Sequence, residues 1–134
     1  MSVIFDGPFV VRVFLGRRLP SDSVDEGVME LFRAYFGGER VDFSRVPVRL
    51  GVSAFTEKVL DAARDIPYGK VITYGELARA CGVRCYRAVG AALGRNPVPV
   101  VIPCHRVVSA RGLGGYSSGL VWKRYLLELE GCVV

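Results

Sequence analysis

Glutamine is absent from this 134-residue chain, and asparagine, histidine and tryptophan occur once each, as Asn96, His105 and Trp122. A single histidine leaves one imidazole for proton transfer near neutral pH. Side-chain amides are heat-labile, and their scarcity points to a hot environment. No run of about 18 uncharged apolar residues occurs, which excludes a membrane-spanning helix. The opening MSVIFDGPFV lacks a basic start ahead of an apolar segment, so no secretory signal is expected. Cys81, Cys85, Cys104 and Cys132 are therefore expected to be reduced thiols in a cytoplasmic (nucleoid-associated) or nuclear compartment. Repeats and low-complexity tracts are also missing. Acidic residues are outnumbered 13 to 18 by basic ones, for a net charge of +5. All but Lys58, Lys70 and Lys123 of the basic residues are arginine, and more than half of the basic residues lie from Arg64 onward. That balance suits a polyanionic partner.

What is present reads as short strands followed by helices. VIFDGPFVVRVFLG alternates as two strands about an Asp6-Gly7 turn. SVDEGVMELFRAYFGG reads as a helix, with Ser23 and Glu26 at capping-box spacing and Gly37 at its end. RVDFSRVPVRLGVS is a strand or an extended linker, since Pro47 argues against a central strand. A boundary falls near Val52. Phe55, Val59, Ala62 and Ile66 then form one helical apolar stripe, which Pro67 and Gly69 stop. Thr73 and Glu76 form a second capping box, for a helix to about Cys81. After the Gly82 turn, a second helix runs from about Arg84 to Leu93, kept slim by Ala88, Ala91 and Ala92. Two short helices about a glycine turn make a helix-turn-helix pattern. VPVVIP follows as an extended apolar element. SARGLGGYSSG is a loop able to close over a ligand. A last helix spans about Gly119 to Glu130, with Leu120, Trp122, Leu126, Leu127 and Leu129 toward the core.

The chemistry concentrates in VVIPCHRVV. A free thiol is only about 3% ionised at pH 7, so a cysteine nucleophile needs a base or a cation beside it. Next to Cys104 stand the sole imidazole, His105, and the cation Arg106. Adjacent strand residues point to opposite faces, so thiol and imidazole meet only if the backbone turns, and then through a water where needed. Pro103 and Asn96 are residue types that support such a turn. His105 requires a third group to fix its tautomer, and Glu130 on the last helix is a candidate. Two other readings stay open here. One is a buried structural cysteine beside a satisfied histidine. The other is a zinc site of Cys81, Cys85, Cys104 and His105, for which adjacent Cys and His ligands are awkward in a tetrahedral set.

IPYGKVITYGELA, RAVGAALGRNPVPVVIPCHRVV, GGYSSG and KRYLLELEG together resemble the methylated-DNA–protein-cysteine methyltransferase family, the O6-alkylguanine-DNA alkyltransferases, from Phe55 to Gly131. The resemblance implies a monomer that repairs double-stranded DNA containing O6-alkylguanine. The thiolate of Cys104 takes the alkyl carbon in one irreversible displacement, no cofactor is consumed, and no metal takes part. It implies that His105 accepts the thiol proton through a water, that Glu130 orients His105, and that Asn96 holds the active-site turn. Tyr74 donates to the leaving purine. The Ser117 N–H faces O6, the Cys104 and Val107 carbonyls accept from the exocyclic amine, and Tyr116 lines the pocket. Arg87 matches an arginine finger that fills the place of the flipped base, with Thr73, Ala88 and Arg95 also at the DNA face. The fold expected is α+β: a reduced N-terminal strand-helix module over 1–52, then a mainly helical alkyltransferase domain over 53–134.

Three departures from the family pattern stand out. Cys85 and Tyr86 occupy places where small residues are common, and Tyr86 either stacks on a sugar or turns away from DNA. Ser118 replaces a common glycine and is expected to narrow the pocket. The N-terminal portion has no Cys or His, so the structural zinc of some relatives cannot form there. The competing functions are a sensor that binds alkylated DNA without repairing it, as alkyltransferase-like proteins that lack the cysteine do, and a redox or zinc-linked helix-turn-helix regulator.

Overall fold

The computed structural model describes residues 1–16 and 25–132. The alternating N-terminal segment forms an antiparallel pair, β1 (Ser2–Asp6) and β2 (Phe9–Phe14), turned at Gly7 with φ of 58°. Val3, Val10 and Val13 point inward from this pair. Helix α1 (Glu26–Phe36) is capped by Asp25, whose side chain accepts from the Val28 N–H at 3.1 Å. The expected cap Ser23 lies outside the described residues, and Asp25 fills that role. Val28, Phe32 and Tyr35 make the buried stripe of α1. The Pro47 segment runs along β2 through Val10 N–H to Pro47 O (2.9 Å) and Arg49 N–H to Val10 O (3.1 Å), without becoming a strand.

Helix α2 (Ala54–Arg64) starts at Ser53 and packs on the next two helices. It buries Thr56, Val59, Leu60 and Ala63; of the expected stripe Val59 and Ile66 are buried, Ala62 is half-buried and Phe55 is exposed. In the first turn Thr56 takes the buried place, one residue on from Phe55. Next come β3 (Ile72–Thr73), α3 (Tyr74–Cys81) and α4 (Tyr86–Gly94). The Thr73–Glu76 capping box forms, and Gly82 turns the chain in the left-handed region with φ of 70°. In α4 the slim-face expectation needs correction. Ala92 is fully buried with Val89 and Leu93, while Arg87, Ala91 and Gly94 are exposed.

VPVVIP is not extended. It folds as a buried turn in which Ile102 N–H reaches Val98 O (3.0 Å) and Val100 takes φ of 76°. A valine in that region is strained. The turn leads through a 3₁₀ turn at Cys104–Arg106 into β4 (Val107–Val108), which pairs in parallel with β3. Helix α5 (Leu120–Leu129) buries Lys123, Leu126 and Leu127, whereas Leu120 faces solvent and Trp122 of the same turn packs against the core. One apolar cluster runs through all these elements, from Val3 and Phe32 to Val98 and Leu126. The strand pairs and five helices among the described residues form the expected α+β mixture.

Candidate functional site

Asn96, the only asparagine, shapes the reactive turn. Its Oδ1 accepts from Val98 N–H (3.0 Å), and its Nδ2 donates to Ile102 O (2.9 Å) and to Cys104 Sγ (3.1 Å). These three bonds close the loop that carries the thiol. The Val13 N–H also donates to Pro97 O at 2.8 Å, tying β2 to the same loop. Buried Val98, Val101 and Ile102 anchor it to the core.

Behind the sulfur, the 3₁₀ turn sends His105 into the interior, where it is fully buried. Nε2 lies 2.5 Å from Glu130 Oε2. Glu130 also accepts from Arg106 Nε (2.8 Å) and Nη2 (3.1 Å), from the Tyr35 hydroxyl (2.5 Å) and from the Gly69 N–H (3.2 Å). Burial alone would raise its pKa, but hydrogen bonds from His105 and Arg106 outweigh that and hold the carboxyl at about 2. Burial lowers the pKa of His105 despite Glu130, so the ring is neutral at pH 7. A neutral ring facing an ionised carboxylate carries its hydrogen on Nε2. The lone pair is then on Nδ1, which is buried and has no hydrogen-bond partner among the described residues. Arg106, expected to add charge beside the thiol, is committed to Glu130 and to Ile66 O (2.7 Å).

The cation beside the thiol is Lys123, a residue the sequence did not single out. It is fully buried and donates to Val107 O (2.7 Å) and Gly115 O (2.9 Å). Burial lowers its pKa to about 8, opposed by its attraction to Cys104, so most of the population is charged at pH 7. Burial pushes the Cys104 thiol up; Asn96, Tyr116 and Lys123 pull it back without restoring it. The Tyr116 hydroxyl acts on Sγ electrostatically, since it lies outside hydrogen-bond geometry among the described residues.

Cys104 forms part of the wall of a cavity of about 710 Å³. Thr73, Tyr74, Arg87, Tyr116 and Ser117 line it too, while Val107, Ala88, Arg95 and Ser118 do not. The expected narrowing by Ser118 is therefore not found. The Val107 carbonyl is already engaged by Lys123, which leaves one lone pair for any further donor. The Tyr74 hydroxyl accepts from the Gly115 N–H (3.2 Å). Its ring lies where a side chain at Gly114 would stand: a Cβ there would come within 2.7 Å of it, and Gly114 has φ of 74°. Gly114 thus admits the tyrosine on two counts. Arg87 and Arg95 are exposed. Among the described residues no cluster of three or more His, Cys, Asp or Glu is placed to hold a metal, which removes the zinc reading there. No helix among them is long and apolar enough to cross a membrane.

Tyr35 and Lys123 were the positions missed. Only Lys123 left a trace in the sequence, as a charge on a helix face otherwise rich in leucine.

Residues 54–132 match the family described as 6-O-methylguanine DNA methyltransferase, DNA binding domain. A methylated-DNA–protein-cysteine methyltransferase of Methanopyrus kandleri is 54% identical over 99 residues, covering 74% of this chain and 75% of the relative. Its counterpart in Archaeoglobus fulgidus is 40% identical over 136 residues, covering 97% and 91%. Among solved structures, Mycobacterium tuberculosis OGT in complex with DNA superposes with a TM-score of 0.87 at 36% identity, covering 96% of this chain and 84% of that one.

Proposed function

Since the chain belongs to the 6-O-methylguanine DNA methyltransferase family, we propose that it repairs duplex DNA by moving the alkyl group from O6 of an alkylated guanine to Cys104 Sγ, once per molecule. The observation that carries this reading is a sulfur in the wall of a cavity of about 710 Å³, followed in the chain by a buried imidazole that a carboxylate holds at Nε2 and whose Nδ1 has no partner among the described residues. Acting on DNA places the protein in the cytoplasm or nucleus.

Because burial keeps the thiol protonated at rest, the proton must leave as the substrate arrives. His105 takes it at Nδ1 through a bridging water, and Glu130 stabilises the imidazolium through Nε2. The S–C bond then forms as the C–O6 bond breaks. Departure of guanine needs a proton, which Tyr74 donates at the purine edge and recovers from the imidazolium by way of solvent. The net change moves the thiol hydrogen to guanine and the alkyl group to sulfur. The Ser117 N–H faces O6, the carbonyls of Cys104 and Val107 receive the exocyclic amine, Tyr116 walls the pocket and Asn96 keeps the sulfur in line. Arg87 enters the stack vacated by the flipped base. Thr73, Ala88 and Arg95 flank it at the backbone, where contacts to phosphate give sequence-tolerant affinity. The sensor reading leaves the thiol and its base without a task.

The test is intact-mass analysis after incubation with O6-methylguanine duplex. One methyl group per molecule, on the peptide holding Cys104, is expected. Mass gain at another residue, or repeated turnover, overturns the reading. A second expectation concerns Lys123. Its charge stabilises the thiolate, so Lys123→Met should raise the Cys104 pKa further. The pH profile of iodoacetamide labelling reads this directly. Transfer at pH 7 should slow roughly threefold to tenfold, since the less acidic thiol is also the better nucleophile.

A further inference from the structure

Tyr86 is the first residue of α4 and immediately precedes Arg87. It is 60% exposed, yet it is not a loose surface side chain. Its ring lies against Gly75 in the first turn of α3: a Cβ at Gly75 would stand 3.3 Å from its Cζ and 3.3 Å from its Oη. Gly75 has no positive φ, so the backbone does not ask for glycine there, and glycine weakens a helix relative to alanine. The ring of Tyr86 is the feature that accounts for it. Both residues line the cavity of Cys104, together with Arg79 and Arg87. An aromatic ring is thus set at the mouth of the cavity, braced on one helix and carried by the other, beside two cations.

We propose that Tyr86 is a further substrate-positioning residue: seated on Gly75, it offers its exposed ring as the platform on which the nucleoside next to the alkylated guanine stacks while the target base occupies the cavity. This rests on reading the cavity as the O6-alkylguanine site. Extrusion of a base leaves its neighbour with one unstacked face. An aromatic ring one residue from the finger replaces part of that stacking, and does so for any base, because every base has a π-face. Sequence-tolerant repair needs such a contact.

The experiment compares transfer to Cys104 from O6-methylguanine duplex and from free O6-benzylguanine in wild type, Tyr86→Phe, Tyr86→Leu, Gly75→Ala and Gly75→Ala/Tyr86→Leu. Tyr86→Leu should slow the duplex reaction on the order of tenfold and the free-base reaction distinctly less, because a free base brings no neighbouring nucleoside to stack. Tyr86→Phe should retain the wild-type duplex rate. Gly75→Ala should slow the duplex reaction when Tyr86 is present and add nothing in the Tyr86→Leu background. A 2-aminopurine next to the lesion should be quenched by the wild type and less so by Tyr86→Leu. Melting temperatures should stay level, since the ring is mostly exposed. An unchanged duplex rate in Tyr86→Leu overturns the proposal. So does an equal loss with the free base, which would make the ring a wall of the cavity only. A wild type that transfers from neither substrate overturns the reading of the site itself, and the platform with it.

Discussion

Cys104→Ala protein should bind O6-methylguanine duplex with near wild-type affinity and gain no mass from it. The loss is complete because nothing replaces the sulfur. Cys81 is buried, and among the described residues none of Cys81, Cys85 and Cys132 lines the cavity. Binding survives because the groups proposed to meet DNA, Arg87 and Ala88 on α4, Arg95 just past it and Thr73 on β3, do not depend on the thiol. The turn survives as well. Asn96 loses one acceptor but keeps Ile102 O and the Val98 N–H. Electrophoretic mobility shift and intact mass on the same sample separate the two properties. Residual methyl transfer in this variant would refute the assigned nucleophile.

Glu130→Gln should damage both chemistry and stability. The carboxylate fixes the imidazole tautomer and stabilises the imidazolium, so its loss should slow transfer by at least about a hundredfold. It also receives Arg106, Tyr35 and Gly69 inside the core. Removing the charge leaves the buried guanidinium of Arg106 without a counterion, and breaking such pairs costs roughly 3–5 kcal/mol. For a chain of this size that corresponds to a drop of roughly 10–20 °C in Tm. The wild type carries the same signature in its pH dependence. Below pH 6.5 the unfolded state binds a proton at His105 that the folded state resists, so stability begins to fall there. The contribution of Glu130, whose folded pKa of about 2 lies below its ordinary 4.5, is full above 4.5 and is lost as pH falls toward 2. Thermal melts across this range should show a falling Tm in wild type. The segment below 4.5 should be flatter in Glu130→Gln. A wild-type Tm unchanged from pH 7 to pH 3 would contradict the buried network.

Local rules made much of this fold legible. The Thr73–Glu76 box and the left-handed Gly82 are short-range devices that stand where their spacing put them, and the hairpin turns one residue later than expected, at Gly7–Pro8. Burial along a helix is decided by partners far away in sequence. The stripe of α2 was therefore misjudged at Phe55, the slim face of α4 at Ala92 and the core face of α5 at Leu120. VPVVIP has the composition of a strand. It becomes a turn because one asparagine offers both a donor and an acceptor across it, which no periodicity reveals. At the site, Cys104, His105, Glu130 and Tyr74 were legible because they sit in recognisable motifs. Arg106 was read with the wrong partner, since adjacency to the thiol in sequence says nothing of the side-chain direction that a 3₁₀ turn imposes.

The Tyr35 hydroxyl bonded to Glu130 spans 95 positions of the chain. Its consequence is that the chemistry is not portable. A fragment confined to 54–132 would hold every residue proposed to meet the substrate, yet it would expose Glu130 to water where Tyr35 of α1 now bonds it. The carboxylate would trade a fixed phenol for mobile solvent, and the imidazole behind the thiol would lose the rigidity of its support. In the proposed mechanism, the segment with no reactive group of its own thereby tunes how readily the sulfur gives up its proton.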